Sequence, residues 1–258
     1  MTHLGLFEGI GGFSLAVKWA GGKTLAWSEW NEFGQKVLKY HFPEAEGHGD
    51  ITKTDFRKYA NKITLITGGF PCQPFSQAGK RKGTNDERYL WHEMLRAIQE
   101  VKPRFVIAEN VFGITNIDGG LVFEQVWADL ENEGYEVQAF IIPACAKNAP
   151  HRRDRVWFLA INAQRVGRYA FKYENGEFKK AQQSKCRKKQ FSRADSAPSW
   201  WRKFPLEPPV CGRDDGISTE LDGITFSKWR AESIKAYGNA IVPQVAYELI
   251  KQLFSSNL

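Results

Sequence analysis

Over its first 162 residues the chain alternates short apolar runs with stretches patterned for helices, and this alternation restricts the fold more than any other feature. The runs at 2–7, 25–27, 63–67, 105–108, 137–142 and 156–161 are strand-like. Between them lie helical patterns at 13–19, 33–40, 89–100 and 121–131. In the first helix Phe13, Ala16 and Val17 share one face, and Gly21-Gly22 supplies a glycine stop. Strand and helix in alternation predict an α/β protein: a doubly wound, mostly parallel sheet with helices on both faces, Rossmann-like in plan.

The alternation stops near Asn162, which makes 1–162 the expected catalytic, ligand-binding domain. A Lys/Arg-rich stretch follows, then one containing Pro198, Pro205, Pro208 and Pro209. Residues 163–232 are therefore expected to form a small region of a different kind. From about Ser233 regularity returns, and residues 245–254 repeat apolar side chains at helical spacing, so 233–258 is expected to return to the first domain.

Charge follows the same division. Residues 164–203 hold twelve Lys or Arg against three acids, a net of +9 in a chain whose formal net charge is +7, leaving −2 for the rest. A basic block on a near-neutral body suits a polyanionic partner, although a solvated loop would also look like this. The four cysteines, Cys72, Cys145, Cys186 and Cys211, show neither metal-ligand spacing nor a secreted disulfide framework. No run approaches the roughly 20 apolar residues of a membrane span, and the first residues lack a signal-peptide pattern. The expectation is a soluble, intracellular protein without metal.

Three groups of residues carry chemistry. The first strand runs into Phe7-Glu8-Gly9-Ile10-Gly11-Gly12, where glycines allow backbone amides to approach a nucleotide-like ligand. Glycines that merely satisfy a turn would give the same pattern. Glu29 follows the second strand, where a carboxylate can accept bonds from ribose hydroxyls; Trp30 beside it is suited to stack on adenine, and Asp50 ends a third strand-helix unit. The second group is Gly68-Gly69-Phe70-Pro71-Cys72-Gln73-Pro74-Phe75-Ser76, a rigid turn that exposes a thiol at the carboxyl edge of the sheet. Free cysteine is also common as a small buried apolar residue. The strand at 105–108 delivers Glu109-Asn110-Val111 to the same edge, where a desolvated carboxyl group favours its protonated form. The third group is His151-Arg152-Arg153-Asp154-Arg155, in which strand alternation predicts that Arg153 and Arg155 point together. Paired guanidinium groups suit a carbonyl or a phosphate, or equally two surface ion pairs.

Taken in order, these motifs resemble the cytosine-C5 DNA methyltransferases of bacterial and phage modification systems. The Phe7 to Gly12 turn resembles that family's first cofactor motif and Pro71-Cys72-Gln73 its nucleophile motif. Glu109-Asn110-Val111, Arg153-x-Arg155 and Gly238-Asn239-Ala240-Ile241-Val242-Pro243 resemble three more, in the usual sequence. The resemblance implies that Phe7, Gly9, Gly11, Glu29, Trp30, Asp50, Ile51 and Pro71, with Leu90 and Asn239, contact S-adenosylmethionine. It implies that Cys72, Glu109, Arg153 and Arg155 surround a flipped cytosine, with Cys72 attacking carbon 6. The stretch Ser76 to Gly83, with Gly79 and Gly83 as hinges and Lys80, Arg81 and Lys82 between them, resembles the loop that closes over DNA. Double-stranded DNA is the implied partner and residues 163–232 the target-recognition region. The resemblance also implies a monomer acting in the cytoplasm of a bacterium or on a phage's behalf, and leaves room for a cognate restriction endonuclease.

Two positions depart from the family pattern: Gly5 stands where an acidic residue is usual and His151 where glutamine is common. Only about 70 residues separate the Arg155 strand from Gly238, which leaves little chain for reading DNA. A dinucleotide-dependent oxidoreductase would share the glycine turn and Glu29 but gives no reason for the cysteine turn beside Glu109 and two arginines. A DNA-binding protein that had lost catalysis would be expected to lack Cys72, Glu109 or Arg155. An RNA-directed member of the same family would use the same residues, and the basic segment suits either phosphate backbone.

Overall fold

The computed structural model describes residues 1–71, 90–147, 149, 151–162, 164 and 226–255. Cys72, the rest of its loop to Gly83, and the basic and Pro-rich stretch as far as Thr225 lie outside the described residues.

Seven strands form one sheet in the order β3-β2-β1-β4-β5-β7-β6. They are β1 (Thr2–Leu6), β2 (Lys23–Ser28), β3 (Glu46–His48), β4 (Leu65–Gly69), β5 (Phe105–Val111), β6 (Tyr135–Pro143) and β7 (Asp154–Asn162). The pairs β1–β2, β1–β4, β2–β3 and β4–β5 are parallel, while β7 runs antiparallel to both β5 and β6. The expected mostly parallel, doubly wound sheet is present with one reversed strand. Apolar patterning carries no information about strand direction, so that reversal follows only from the hairpin between β6 and β7. The chain leaves β1 toward β2 and β3 on one side and then returns to β4 and β5 on the other. This puts the topological switch between β1 and β4, where open α/β sheets place their ligands.

Strand alternation feeds two cores. Leu4, Leu6, Ile66, Val106 and Ala108 face α3 (Trp91–Val101) and α4 (Leu121–Asn132), meeting Met94, Ile98, Val122 and Val126. Leu65, Phe105, Ile107 and Trp157 face the other way, toward α1 (Gly12–Trp19) and the last helix, α6 (Pro243–Ser255). On that side Val245, Ala246, Ile250 and Leu253 of α6 pack with Phe13, Ala16 and Val17 of α1. Helix α6 is thus part of the layer that covers β4, β5 and β7 on this side. Two more helices, α2 (Glu32–His41) and α5 (Phe226–Asn239), meet through Phe33, Val37 and Trp229. β3 has no apolar run to announce it. It forms because its backbone pairs with Ala26 to Ser28, and the Trp27 indole lies where a side chain on Gly47 would have to go, 2.4 Å from an ideal Cβ. Among the described residues no helix is long and apolar enough to cross a membrane.

Candidate active site

The turn after β1 is held in conformations that its residues set out. Phe7 has φ 51°, Gly9 φ 59° and Gly11 φ 90°. At Gly11 a Cβ would also stand 2.9 Å from the Phe42 ring, so only glycine fits. Gly9 is different: nothing lies within 4 Å of an ideal Cβ there, so its backbone faces open space. Glu29, just past β2, is mostly buried and reaches this turn. Its Oε2 accepts the Gly9 N–H at 2.6 Å and its Oε1 accepts the Asn31 N–H at 2.7 Å. Burial raises the Glu29 pKa, and the backbone amides of Asn31, Gly9 and Trp30 oppose that rise.

Trp30 next to it is 80% exposed, which leaves its indole face open to solvent. The Ser28 hydroxyl donates to the Gly49 carbonyl at 3.0 Å, tying the end of β2 to the residue before Asp50. Asp50 Oδ1 accepts the Thr52 hydroxyl at 2.8 Å and the Thr52 N–H at 3.0 Å, which together hold its carboxyl below the usual range, and Ile51 beside it is buried. The structure therefore brings Phe7, Gly9, Gly11, Glu29, Trp30, Asp50 and Ile51 to one stretch of the sheet's carboxyl edge. Leu90 stands at the start of α3 and Asn239 at the end of α5.

Gly5 acquires a physical explanation here. The Glu8 side chain folds back over it, so that a Cβ on Gly5 would lie 2.0 Å from Glu8 Oε2. Glu8 Oε1 accepts the Ser14 N–H at 2.7 Å, satisfying an amide of the first turn of α1, a helix with no side-chain cap of its own. Glu8 Oε2 is buried without a hydrogen-bond partner, and desolvation pushes the carboxyl up to about 7. A carboxyl group thus fills the space above Gly5, delivered from three residues further on. The family resemblance marks Gly5 as a departure but assigns Glu8 no role; the only signal is an acid inside a glycine turn.

At the ends of β4 and β5, Gly69 pairs with Glu109 in the sheet register, and a Cβ on Gly69 would stand 3.2 Å from Glu109 Oε2. Sequence patterning ends the fifth strand at Ala108; it continues to Val111 because β7 pairs with it as far as Arg155. Glu109 is buried, and its pKa is raised to about 7: desolvation drives it up against the opposing fields of Arg155 and Arg153. Arg155 Nε donates to Glu109 Oε1 at 2.8 Å, and Arg155 Nη1 donates to the Asp154 carbonyl at 2.9 Å. Asn110, which the motif leaves without a role, is buried and donates from Nδ2 to the Phe70 carbonyl at 2.9 Å. That bond fixes the turn one residue before the half-buried Pro71, and Cys72 follows directly.

Arg153 departs from expectation. It precedes β7 and has φ 41°, so strand alternation does not apply to it. Its Nη2 donates to the carbonyls of Gly238 and Ala240 at 2.8 and 2.7 Å. Burial, followed by the field of Arg155, lowers its pKa, and Glu109 opposes that shift, so the three charges are neighbours although only Arg155 bonds the carboxylate. His151 is exposed.

The described residues thus place the Glu29 and Asp50 carboxylates beside the glycine turn at the parallel-sheet switch point, and the Glu109–Arg155 pair at the neighbouring ends of β5 and β7. The family model for C-5 cytosine-specific DNA methylases matches residues 1–203, and the chain belongs to that family. The type II methyltransferase M.PspPI of Psychrobacter is 34% identical over 177 residues, covering 67% of this chain and 42% of that relative. M.Eco47II of Escherichia coli is 36% identical over 163 residues, 62% of this chain and 39% of the relative. A solved structure of a putative DNA modification methyltransferase encoded within an E. coli prophage superposes with a TM-score of 0.54 at 25% identity, covering 64% of this chain and 47% of that one. The chain thus spans less than half the length of these relatives.

Proposed function

We propose that the protein is a DNA (cytosine-5-)-methyltransferase that uses S-adenosylmethionine and attacks a flipped cytosine through Cys72. The observation that carries this reading is the Glu109–Arg155 pair at 2.8 Å, in which the buried Glu109 lies beside the end of the strand that leads into Cys72. Carbon 5 of cytosine is a poor nucleophile until a thiolate adds to carbon 6 and turns the ring into an enamine. Negative charge then develops at N3 and O2. A Glu109 carboxyl pushed to about 7 can hold or donate a proton at N3 near neutral pH. Arg155 is suited to O2, since its Nη2 is used in neither the Glu109 nor the Asp154 bond. After carbon 5 has gained its substituent, loss of the carbon-5 proton to a base expels Cys72 and restores the aromatic ring. Only an extruded base exposes both ring faces to these groups.

The residues at the β1–β3 edge fit S-adenosylmethionine. The open space over Gly9 admits a ligand backbone-close, the bonded Glu29 carboxylate keeps further lone pairs for ribose hydroxyls, and the exposed Trp30 indole offers an adenine platform. When bound there, the cofactor supplies the methyl group. Residues 163–232 are read as the target-recognition region of a monomer acting on double-stranded DNA, with a cognate restriction endonuclease as a candidate partner.

The test is incubation of the full chain with methyl-labelled cofactor and, separately, double-stranded DNA and RNA, followed by bisulfite mapping. Label in DNA with protected cytosines at a recurring sequence is expected. Label in RNA alone, or in neither, overturns the reading.

A further inference from the structure

We propose that Arg153 is a positioning residue, whose guanidinium clamps the 238–240 segment against the start of β7 and so fixes Asn239 for cofactor binding. This rests on the reading of the β1–β3 edge as an S-adenosylmethionine site.

The clamp has two parts. Helix α5 ends at Asn239, where the negative end of its dipole lies, and the Ala236 carbonyl of its last turn accepts the Ala240 N–H at 2.9 Å. One Arg153 nitrogen, Nη2, bridges two carbonyls at this end, Gly238 at 2.8 Å and Ala240 at 2.7 Å. These are charge-assisted bonds, made from a residue whose backbone adopts an uncommon left-handed φ of 41° to aim its side chain there. The second part is Ile241. A Cβ on Gly12 would stand 2.7 Å from Ile241 Cγ1, and one on Gly69 3.9 Å from Ile241 Cγ2. Ile241 therefore occupies a slot that the two glycines leave between the start of α1 and the end of β4.

Asn239 lies between these anchors, flanked on both sides by carbonyls that Arg153 holds. The two arginines divide the work: Arg155 turns to Glu109 and Arg153 to the returning chain. Had Arg153 instead been a ligand of the base, its loss would leave cofactor affinity alone and slow the chemistry.

The experiment uses the full chain with Arg153→Met, which keeps length but no donor, and Arg153→Lys, which keeps one charge. Cofactor binding is measured by calorimetry without DNA, amide exchange of residues 238–242 by mass spectrometry, and kcat at saturating cofactor. Arg153→Met is expected to weaken cofactor binding at least tenfold and speed exchange at 238–242, with kcat changed less than threefold. Arg153→Lys should fall between it and the wild type, and provides the same comparison should the Met variant not fold. Unchanged cofactor affinity in both variants, with or without a fall in kcat, overturns the positioning role. Failure of the wild type itself to bind S-adenosylmethionine overturns the pocket reading instead.

Discussion

Arg155 Nε lies 2.8 Å from Glu109 Oε1, and the two side chains reach each other across a β5–β7 register that pairs Arg155 with Val111. The arginine opposes the desolvation that lifts Glu109 to about 7. Removing its charge with Arg155→Met should therefore raise the Glu109 pKa further. If the protonated carboxyl is the working form, the limb at which kcat falls with rising pH moves upward. The rate itself should drop about 10²–10³-fold, as for loss of one preorganised donor to a developing oxyanion. A pH–rate profile checks both, and a limb that stays in place contradicts the coupling.

Glu29 is expected to govern cofactor affinity. Glu29→Ala removes the acceptor proposed for two ribose hydroxyls and releases the Gly9 and Asn31 amides that it now holds. Hydrogen bonds to a charged acceptor contribute roughly 1.5–3 kcal/mol each, so the Kd for S-adenosylmethionine should rise at least tenfold. An unchanged Kd by calorimetry would place the cofactor elsewhere.

Gly5 and Glu8 should behave as a coupled pair. Gly5→Ala puts a methyl group 2.0 Å from Glu8 Oε2 and should destabilise the protein by about 1–3 kcal/mol, a cost that shrinks in a Glu8→Ala background. The pH dependence follows from the raised carboxyl. Folded Glu8 keeps its proton up to about 7, whereas its unperturbed value is 4.5. Its contribution is complete below the lower value and is lost as pH rises through the upper one, roughly 3 kcal/mol in all. Glu109 is raised in the same sense, so Glu8→Gln should reduce this limb without abolishing it. Urea titrations from pH 4 to 8 check the slope, and an identical pH dependence in wild type and Glu8→Gln contradicts it.

Much of this architecture is legible in the sequence because burial on a sheet leaves a regular trace. Leu4 and Leu6, or Phe105 and Ile107, alternate with side chains that face the other layer, and Phe13, Ala16 and Val17 recur at the helical period. Motif order carries the site further, since Glu109 and Gly69 end neighbouring strands. What escapes are features that depend on chain reversal or on irregular backbone. Nothing in the apolar residues of 156–161 tells that β7 runs backward. The alternation that aligns Arg153 with Arg155 assumes extended backbone, which a φ of 41° breaks. Glu8 reaching back over Gly5 is a tertiary contact within a turn whose glycines draw attention elsewhere.

The basic stretch at 164–203 should supply much of the sequence-independent DNA affinity, because it carries the chain's positive excess. Neutralising Lys185, Arg187, Lys188 and Lys189 should flatten the dependence of log K on log salt by roughly one unit for each phosphate left without its cation. Binding isotherms on non-specific duplex at several salt concentrations measure it. An unchanged slope would make the stretch a bystander to DNA binding.

The central claim is covalent attack by Cys72, and a suicide substrate tests it most directly. Fluorine at carbon 5 of the target cytosine still permits addition of the thiolate and methyl transfer, but it cannot leave as a cation, so elimination stops. Duplex DNA carrying 5-fluorocytosine within a sequence shown to be methylated, incubated with the protein and S-adenosylmethionine, should give an adduct that survives denaturation. Cys72→Ala should bind the DNA and form none, since extrusion of the base and phosphate contacts do not need the thiol. An adduct that persists in Cys72→Ala, or no adduct with the wild type on that sequence, would contradict the account.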